Sequence, residues 1–237
     1  MNPFKALIDL FLPRVCHVCE TKLIDDEEYI CSSCLGKLPL TGYERYWDNK
    51  TGTNTDLNPM EQRFAGQLPL GHACAPYFYT RVSTLASLVH DFKYRGFPNL
   101  ALTLGRIGAE LLKDSELFTG VDVILPIPIH WTKKRKRGYN QSDMIARGIS
   151  DATGIPVGRQ LKAIKPHRTQ TSLNPEQRIA NTKNVFAIRN PETLEGKTVM
   201  IVDDICTTGA TLLSAGNAIA ASTNHNVRLS FFTLGVV

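Results

Sequence analysis

The chain has 237 residues, 43% of them hydrophobic, enough for one substantial α/β core plus a smaller module and too apolar for a disordered chain. Its formal charge of +5 is a mild excess that suits an anionic partner without requiring one. No apolar run approaches the roughly 20 residues that span a bilayer, which excludes an integral membrane protein.

At the N-terminus, Phe4, Leu7, Ile8 and Phe11 recur at helical spacing and predict a short amphipathic helix. A secretory signal fits poorly: Asp9 interrupts the apolar stretch and "PRVC" lacks the small residues of a cleavage site. The expected compartment is therefore the cytoplasm, where cysteine clusters bind metal more often than they form disulfides. Such a cluster follows. Cys16 and Cys19 in "CHVC" and Cys31 and Cys34 in "CSSC" are two CxxC knuckles eleven residues apart, a spacing that brings four thiolates round one Zn²⁺. The other readings are two redox CxxC pairs or four buried cysteines. Four thiolates close the coordination shell, so the zinc is expected to be structural. His17, inside the first knuckle, is expected as an exposed side chain, and Cys74 and Cys206, without CxxC partners, as ordinary core or loop residues.

Residues 1–40 thus read as an N-terminal helix and zinc module, 41–75 as a polar linker or loop, and 76–237 as the main domain. No internal repeat or low-complexity tract occurs. "CAPYFYT" predicts a strand, "VSTLASLVHDFKY" a helix with Val82, Leu85, Leu88, Val89 and Phe92 on one face, and about Leu100 to Leu112 a second helix. His90 is expected at the surface or in packing. "VDVILPIPI", Val121 to Ile129, is a continuous apolar strand. After it "KKRKRGYNQ" predicts a basic loop carrying Lys133, Lys134, Arg135, Lys136 and Arg137, which reads as a contact for pyrophosphate, a nucleotide or a nucleic-acid backbone, or as a solvated charge run. "SDMIARGISDATG" is a helix with Ser142 as its expected N-cap and Gly154 at its end. "KTVMIVDD" is a strand, "GATLLSAGNAIAAS" a helix and "VRLSFFTLGV" a final strand. Continuous apolar strands alternating with helices predict an α/β fold, a parallel sheet with helices on both faces. In such sheets ligands bind beyond the carboxyl ends of the strands.

Asp203 and Asp204 are expected just past the end of their strand, at an exposed edge. Two adjacent carboxylates suit the vicinal hydroxyls of a sugar. Thr207, Thr208, Gly209, Ala210 and Thr211 then turn into a helix whose first amides can cradle a phosphate, with Gly209 letting the backbone approach closely. The alternative is a capped strand–helix connection with surface acids. The stretch resembles the 5-phosphoribosyl 1-pyrophosphate (PRPP) binding motif of type I phosphoribosyltransferases; it is not a Walker A loop, because no GK[ST] occurs.

"LVHDFKYRG", "PIPIHWTKKRKRGYNQSDMIA" and "RTQTSLNPEQRIANTKNVF", together with the N-terminal cysteines, resemble the ComF family along nearly the whole chain. The resemblance implies a zinc-binding N-terminal segment, a phosphoribosyltransferase-like domain and a role in DNA uptake. It puts Arg137, Gly138 and Asn140 near pyrophosphate, and Arg168, Thr169, Gln170, Thr171, Arg178 and Asn181 in a hood over the substrate. Two functions remain open from the residues. One is binding of PRPP with Mg²⁺, or of a related sugar phosphate or nucleotide, with phosphoribosyl transfer and Asp203 or Asp204 stabilising the cationic transition state. The other is a module that holds single-stranded DNA or a nucleotide without turnover, alongside other DNA-uptake proteins.

Overall fold

The computed structural model describes residues 13–24, 27–47, 57–164 and 185–237, apart from the side chains of Trp47, Lys133 and Lys136. The expected helix through Phe4 and Phe11 and the hood residues 168–181 lie outside the described residues.

The strands are β1 (Leu70–Cys74), β2 (Tyr77–Phe78), β3 (Val123–Pro126), β4 (Leu161–Ala163), β5 (Phe186–Ile188), β6 (Thr198–Cys206) and β7 (Arg228–Val236). β1, β7, β6 and β3 lie side by side in that order, all parallel, and β2 also pairs with β7. β4 and β5 form a separate antiparallel pair. Val199 to Val202 are wholly buried, as a central parallel strand covered on both faces requires.

The helices are α1 (Ser32–Leu35), α2 (Pro59–Gln62), α3 (Thr84–Tyr94), α4 (Pro98–Leu112), α5 (Trp131–Arg137), α6 (Gln141–Thr153) and α7 (Ala210–Ser222). Gly108 of α4 faces the Phe232 ring, whereas Gly216 of α7 faces Leu229 and Phe231. Successive strand residues point to opposite sides, so α4 and α7 cover opposite faces of the sheet, as the sequence pattern predicts. α4 also packs backbone to backbone on α6. A Cβ on Gly148 would come within 2.0 Å of the Leu102 carbonyl oxygen, and one on Gly105 within 2.4 Å of that of Ile145. This packing seats the first turn of α6 beside the end of β3. Among the described residues no helix is long and apolar enough to cross a membrane.

Several local expectations change. Within 41–75, Leu70–Cys74 form an edge strand of the main sheet rather than linker. Val82 precedes α3 and is exposed; Ser83 caps the helix by accepting from Ala86 N at 3.2 Å. The basic stretch is not a loop but the helix α5, because Lys and Arg are good helix formers and no Gly or Pro intervenes before Gly138. Ser142 is not the N-cap of α6. Asn140 holds that position, and Ser142 lies buried in the first turn with another partner. The helix does end at Gly154.

Candidate functional site

β6 does not stop before its acids. It runs on to Cys206 because β7 is equally long and pairs Asp203 with Thr233 and Cys206 with Val236. On the other side β3 ends earlier, with Pro126 opposite Val202. Asp203 and Asp204 therefore project beyond a missing neighbour, with a partner strand on one flank and a gap on the other. The first turn of α6 fills part of that gap.

Three elements converge on the acid pair. Ser142 Oγ donates to Asp203 Oδ1 at 3.0 Å, and Gln141 Nε2 donates to Asp204 Oδ2 at 3.2 Å. Lys93, from the last turn of α3, places Nζ 2.7 Å from Asp204 Oδ2. The expected exposed edge is thus wrong in detail: Asp204 is buried and Asp203 half-buried. Burial, with the Asp204 charge adding to it, pushes Asp203 up to about 7. Burial alone would lower the Lys93 ammonium, but the Asp204 and Asp203 carboxylates outweigh it and hold Lys93 above its ordinary range. Lys93, Gln141 and Ser142 carry no local signal of this role in the sequence.

The turn after β6 leaves Thr207 and Thr208 exposed, Gly209 buried, and Ala210 and Thr211 half-buried. Gly209 takes the N-cap position of α7 at φ 77°, and Thr208 Oγ1 accepts from Ala210 N at 3.4 Å. A second segment braces the turn from behind. Arg63, just after α2, donates through its two terminal nitrogens to the carbonyl oxygens of Thr207 and Val237. The Phe64 ring lies directly under Gly209, where a Cβ would meet it at 2.9 Å. Turn and acids are contiguous, so hydroxyl acceptors and helix-start amides share one edge of the sheet.

Arg137 closes α5 at the same edge. Its guanidinium carbon lies 5.1 Å from the centre of the Tyr94 ring, and it is near enough to repel Lys93. Gly138 follows in left-handed conformation and is exposed. Asn140 Nδ2 donates to the Ile127 carbonyl at 3.0 Å. Among the described residues nothing donates a hydrogen bond to Asn140 Oδ1 or Gln141 Oε1, both of which are buried.

The four cysteines form a separate centre. Cys16, Cys19, Cys31 and Cys34 bring their sulfur atoms within 4.8 Å of one another, with Cys19 and Cys31 at 3.7 Å. Tetrahedral ligation at about 2.3 Å needs sulfur separations of about 3.8 Å. The cluster therefore fits a metal ion, and a zinc-binding module, with little rearrangement. Val18 N and Cys31 N each donate to Cys16 Sγ at 3.4 Å, compensating thiolate charge. None of the six cysteines is in a disulfide, and Cys74 and Cys206 are buried core residues.

His17 is not an exposed side chain. Its Nδ1 lies 2.8 Å from Asp91 Oδ2, and its ring packs edge-on to Phe97 at 4.4 Å, tying the cysteine module to α3. His90, by contrast, is exposed, as expected. A cleft of about 850 Å³ opens between module and helices, lined among others by Arg14, His17, Tyr29, Asp91 and Phe97. Asp91 and Lys93 are two residues apart on α3, about 200° round the helix, so the cleft and the acid pair lie on different sides of it.

The phosphoribosyl transferase domain family matches residues 117–229, a span that includes β3, α6, the acid pair and the turn. Competence protein F of Haemophilus influenzae is 25% identical over 218 residues, covering 87% of this chain and 90% of that protein. DNA utilization protein YhgH of Escherichia coli K12 is 26% identical over 217 residues, covering 86% and 89%. Competence protein ComFC of Bacillus subtilis is 25% identical over 226 residues, covering 93% and 83%. These alignments cover 83% to 93% of each chain, and with the phosphoribosyl transferase domain match and the cysteine cluster they support the ComF family for this chain, a four-cysteine module joined to a phosphoribosyltransferase-like domain.

Proposed function

We propose that the chain binds PRPP, or a related sugar phosphate or nucleotide, at the β6–α7 turn and transfers its phosphoribosyl group. The observation that carries this reading is the acid pair, ordered by Ser142 and Gln141, directly before a helix-start turn braced by Arg63 and Phe64. Residues Thr207, Thr208, Gly209, Ala210 and Thr211 take the 5-phosphate, and Asp203 and Asp204 accept from the sugar hydroxyls. Arg137 and Gly138 lie on the pyrophosphate side, where the guanidinium offsets charge on the leaving group. As a nucleophile displaces pyrophosphate from the anomeric carbon, Asp203 and Asp204 stabilise the positive charge on the ring. Mg²⁺ held by the ligand and by these carboxylates would neutralise the departing pyrophosphate. The cysteines hold a structural Zn²⁺. The names of the relatives point to competence and DNA utilization, and we assign this chain to the handling of DNA taken up, with other uptake proteins as partners.

A second reading has its own support. Trp131 and Tyr94 are 64% and 63% exposed beside the cationic α5, an arrangement suited to stacking the bases of single-stranded DNA without turnover.

One experiment addresses both readings: titration of wild type, Asp203→Asn and Asp203→Asn/Asp204→Asn with PRPP and Mg²⁺, beside binding of a single-stranded oligonucleotide across a salt series. Carboxylates have no use in a DNA phosphate contact, so PRPP affinity should fall at least tenfold in each variant while DNA binding and its salt slope persist. Asp203→Asn leaves the Lys93–Asp204 pair intact and guards against loss of fold in the double variant. No PRPP binding by folded, metal-loaded wild type would overturn the sugar-phosphate reading and leave the DNA module.

A further inference from the structure

We infer that Gln141 is a sugar-reading residue, its side-chain carbonyl accepting a hydrogen bond from a hydroxyl of the ligand at the acid pair; the inference rests on the sugar-phosphate reading above. Gln141 opens α6 and is 6% exposed. Its amide orientation is fixed by the 3.2 Å bond from Nε2 to Asp204 Oδ2. Turned over, the amide would set an oxygen against a carboxylate, acceptor against acceptor. Oε1 is consequently the atom left over, buried and unpartnered among the described residues, one amide width from Asp204.

A buried acceptor without a donor is unfavourable and is seldom left so without a reason. Asn140 repeats the pattern next door. Its Nδ2 is engaged by the Ile127 carbonyl at 3.0 Å and its Oδ1 is buried and unpartnered. Two consecutive residues thus bring two amide acceptors to the end of β3, that of Gln141 beside Asp204. A phosphate or pyrophosphate oxygen, itself an acceptor, satisfies neither amide oxygen. A hydroxyl does. The site divides accordingly: Arg137 and the helix-start amides face the phosphates, while Gln141 and Asn140 join the acids on the hydroxyl side. Asn140 then moves from the pyrophosphate contact that the family resemblance implies to the sugar. Buried acceptors of this kind give steep discrimination, because an analogue lacking the hydroxyl leaves them unpaired.

The test uses the full, metal-loaded chain and three probes with Mg²⁺: ribose 5-phosphate, 2-deoxyribose 5-phosphate and 3-deoxyribose 5-phosphate. Gln141→Met keeps the side-chain volume and removes both amide atoms. Gln141→Glu keeps an acceptor oxygen. Melting temperature and zinc content check that each variant is folded. Wild type should prefer ribose 5-phosphate to both deoxy sugars. In Gln141→Met one of the two preferences should shrink by about tenfold or more while the other persists through the acids. Gln141→Glu should keep both preferences, even at lower overall affinity. Unchanged preferences in Gln141→Met, or a preference lost in Gln141→Glu, would overturn the role of Gln141 and leave sugar-phosphate binding standing. Failure of wild type to bind either ribose 5-phosphate or PRPP would overturn both.

Discussion

Gly209→Ala tests whether the turn after β6 is held in shape from behind. The residue sits at φ 77°, which costs an ordinary L-residue about 1–2 kcal/mol. The added methyl would also lie 2.9 Å from two carbons of the Phe64 ring. That ring has nowhere to go: it is 1% exposed and packs on Phe231 with ring centres 4.6 Å apart. Overpacking a filled site adds about 1–3 kcal/mol. The sum is a loss of about 2–5 kcal/mol, or a melting point lowered by roughly 4–20 °C for a chain of this size. Urea and thermal unfolding of Gly209→Ala, Phe64→Leu and the double variant separate the two contributions. Phe64→Leu makes room for the methyl but leaves the backbone strain. The double variant should be more stable than the two single losses predict, by about 1 kcal/mol or more. A Gly209→Ala loss below about 0.5 kcal/mol, or strictly additive losses, would refute the bracing of the turn by Phe64.

The cysteine centre predicts one Zn²⁺ per chain, lost with much of the solubility in Cys31→Ser because the closed shell is opened; elemental analysis checks this, and zinc-free wild type purified without chelators would defeat it. Asp203 at about 7 predicts that Mg²⁺–PRPP affinity rises about tenfold between pH 6 and 8, as the carboxylate forms, and that Asp203→Asn flattens the rise. The same group makes the folded state bind more protons than the unfolded chain between about pH 4 and 7, so its contribution to stability falls as pH rises through that window. Unfolding of wild type and Asp203→Asn at several pH values measures the difference, and identical slopes would refute it.

What could be read from the sequence was local. Val199 to Val202 and the apolar run from Leu229 announce buried parallel strands because both their faces are covered, and the CxxC spacing announces the metal module because ligand geometry dictates it. The basic run hid its helix because α5 has no apolar stripe to betray it; its start is set by His130, whose ring nitrogen accepts from Thr132 N at 3.5 Å. His17 looked expendable beside four cysteines because its partner, Asp91, is 74 residues away. Gln141 and Ser142 lie 63 and 61 residues from the acids they hold, and the stretch that carries the family resemblance contains them without marking this role.

That distance also explains why the acid pair was expected at an exposed edge. A run of apolar residues followed by two carboxylates reads as a strand emerging into water. The burial comes from elsewhere, when α3 and α6 close over the strand end. Closure changes the chemistry, because two adjacent carboxylates withdrawn from water cannot both keep their charge without a cation. Lys93 supplies one, and it sits on Asp204, not between the two. The pair is therefore unequal. Asp204 is compensated and fixed by Lys93 and Gln141. Asp203, whose donors among the described residues are the Ser142 hydroxyl and the Asp204 amide, carries the proton near neutrality. A ligand that brings its own positive charge or hydroxyl donors favours the ionised form of Asp203, and the proton it releases is a direct measure of which acid it meets first.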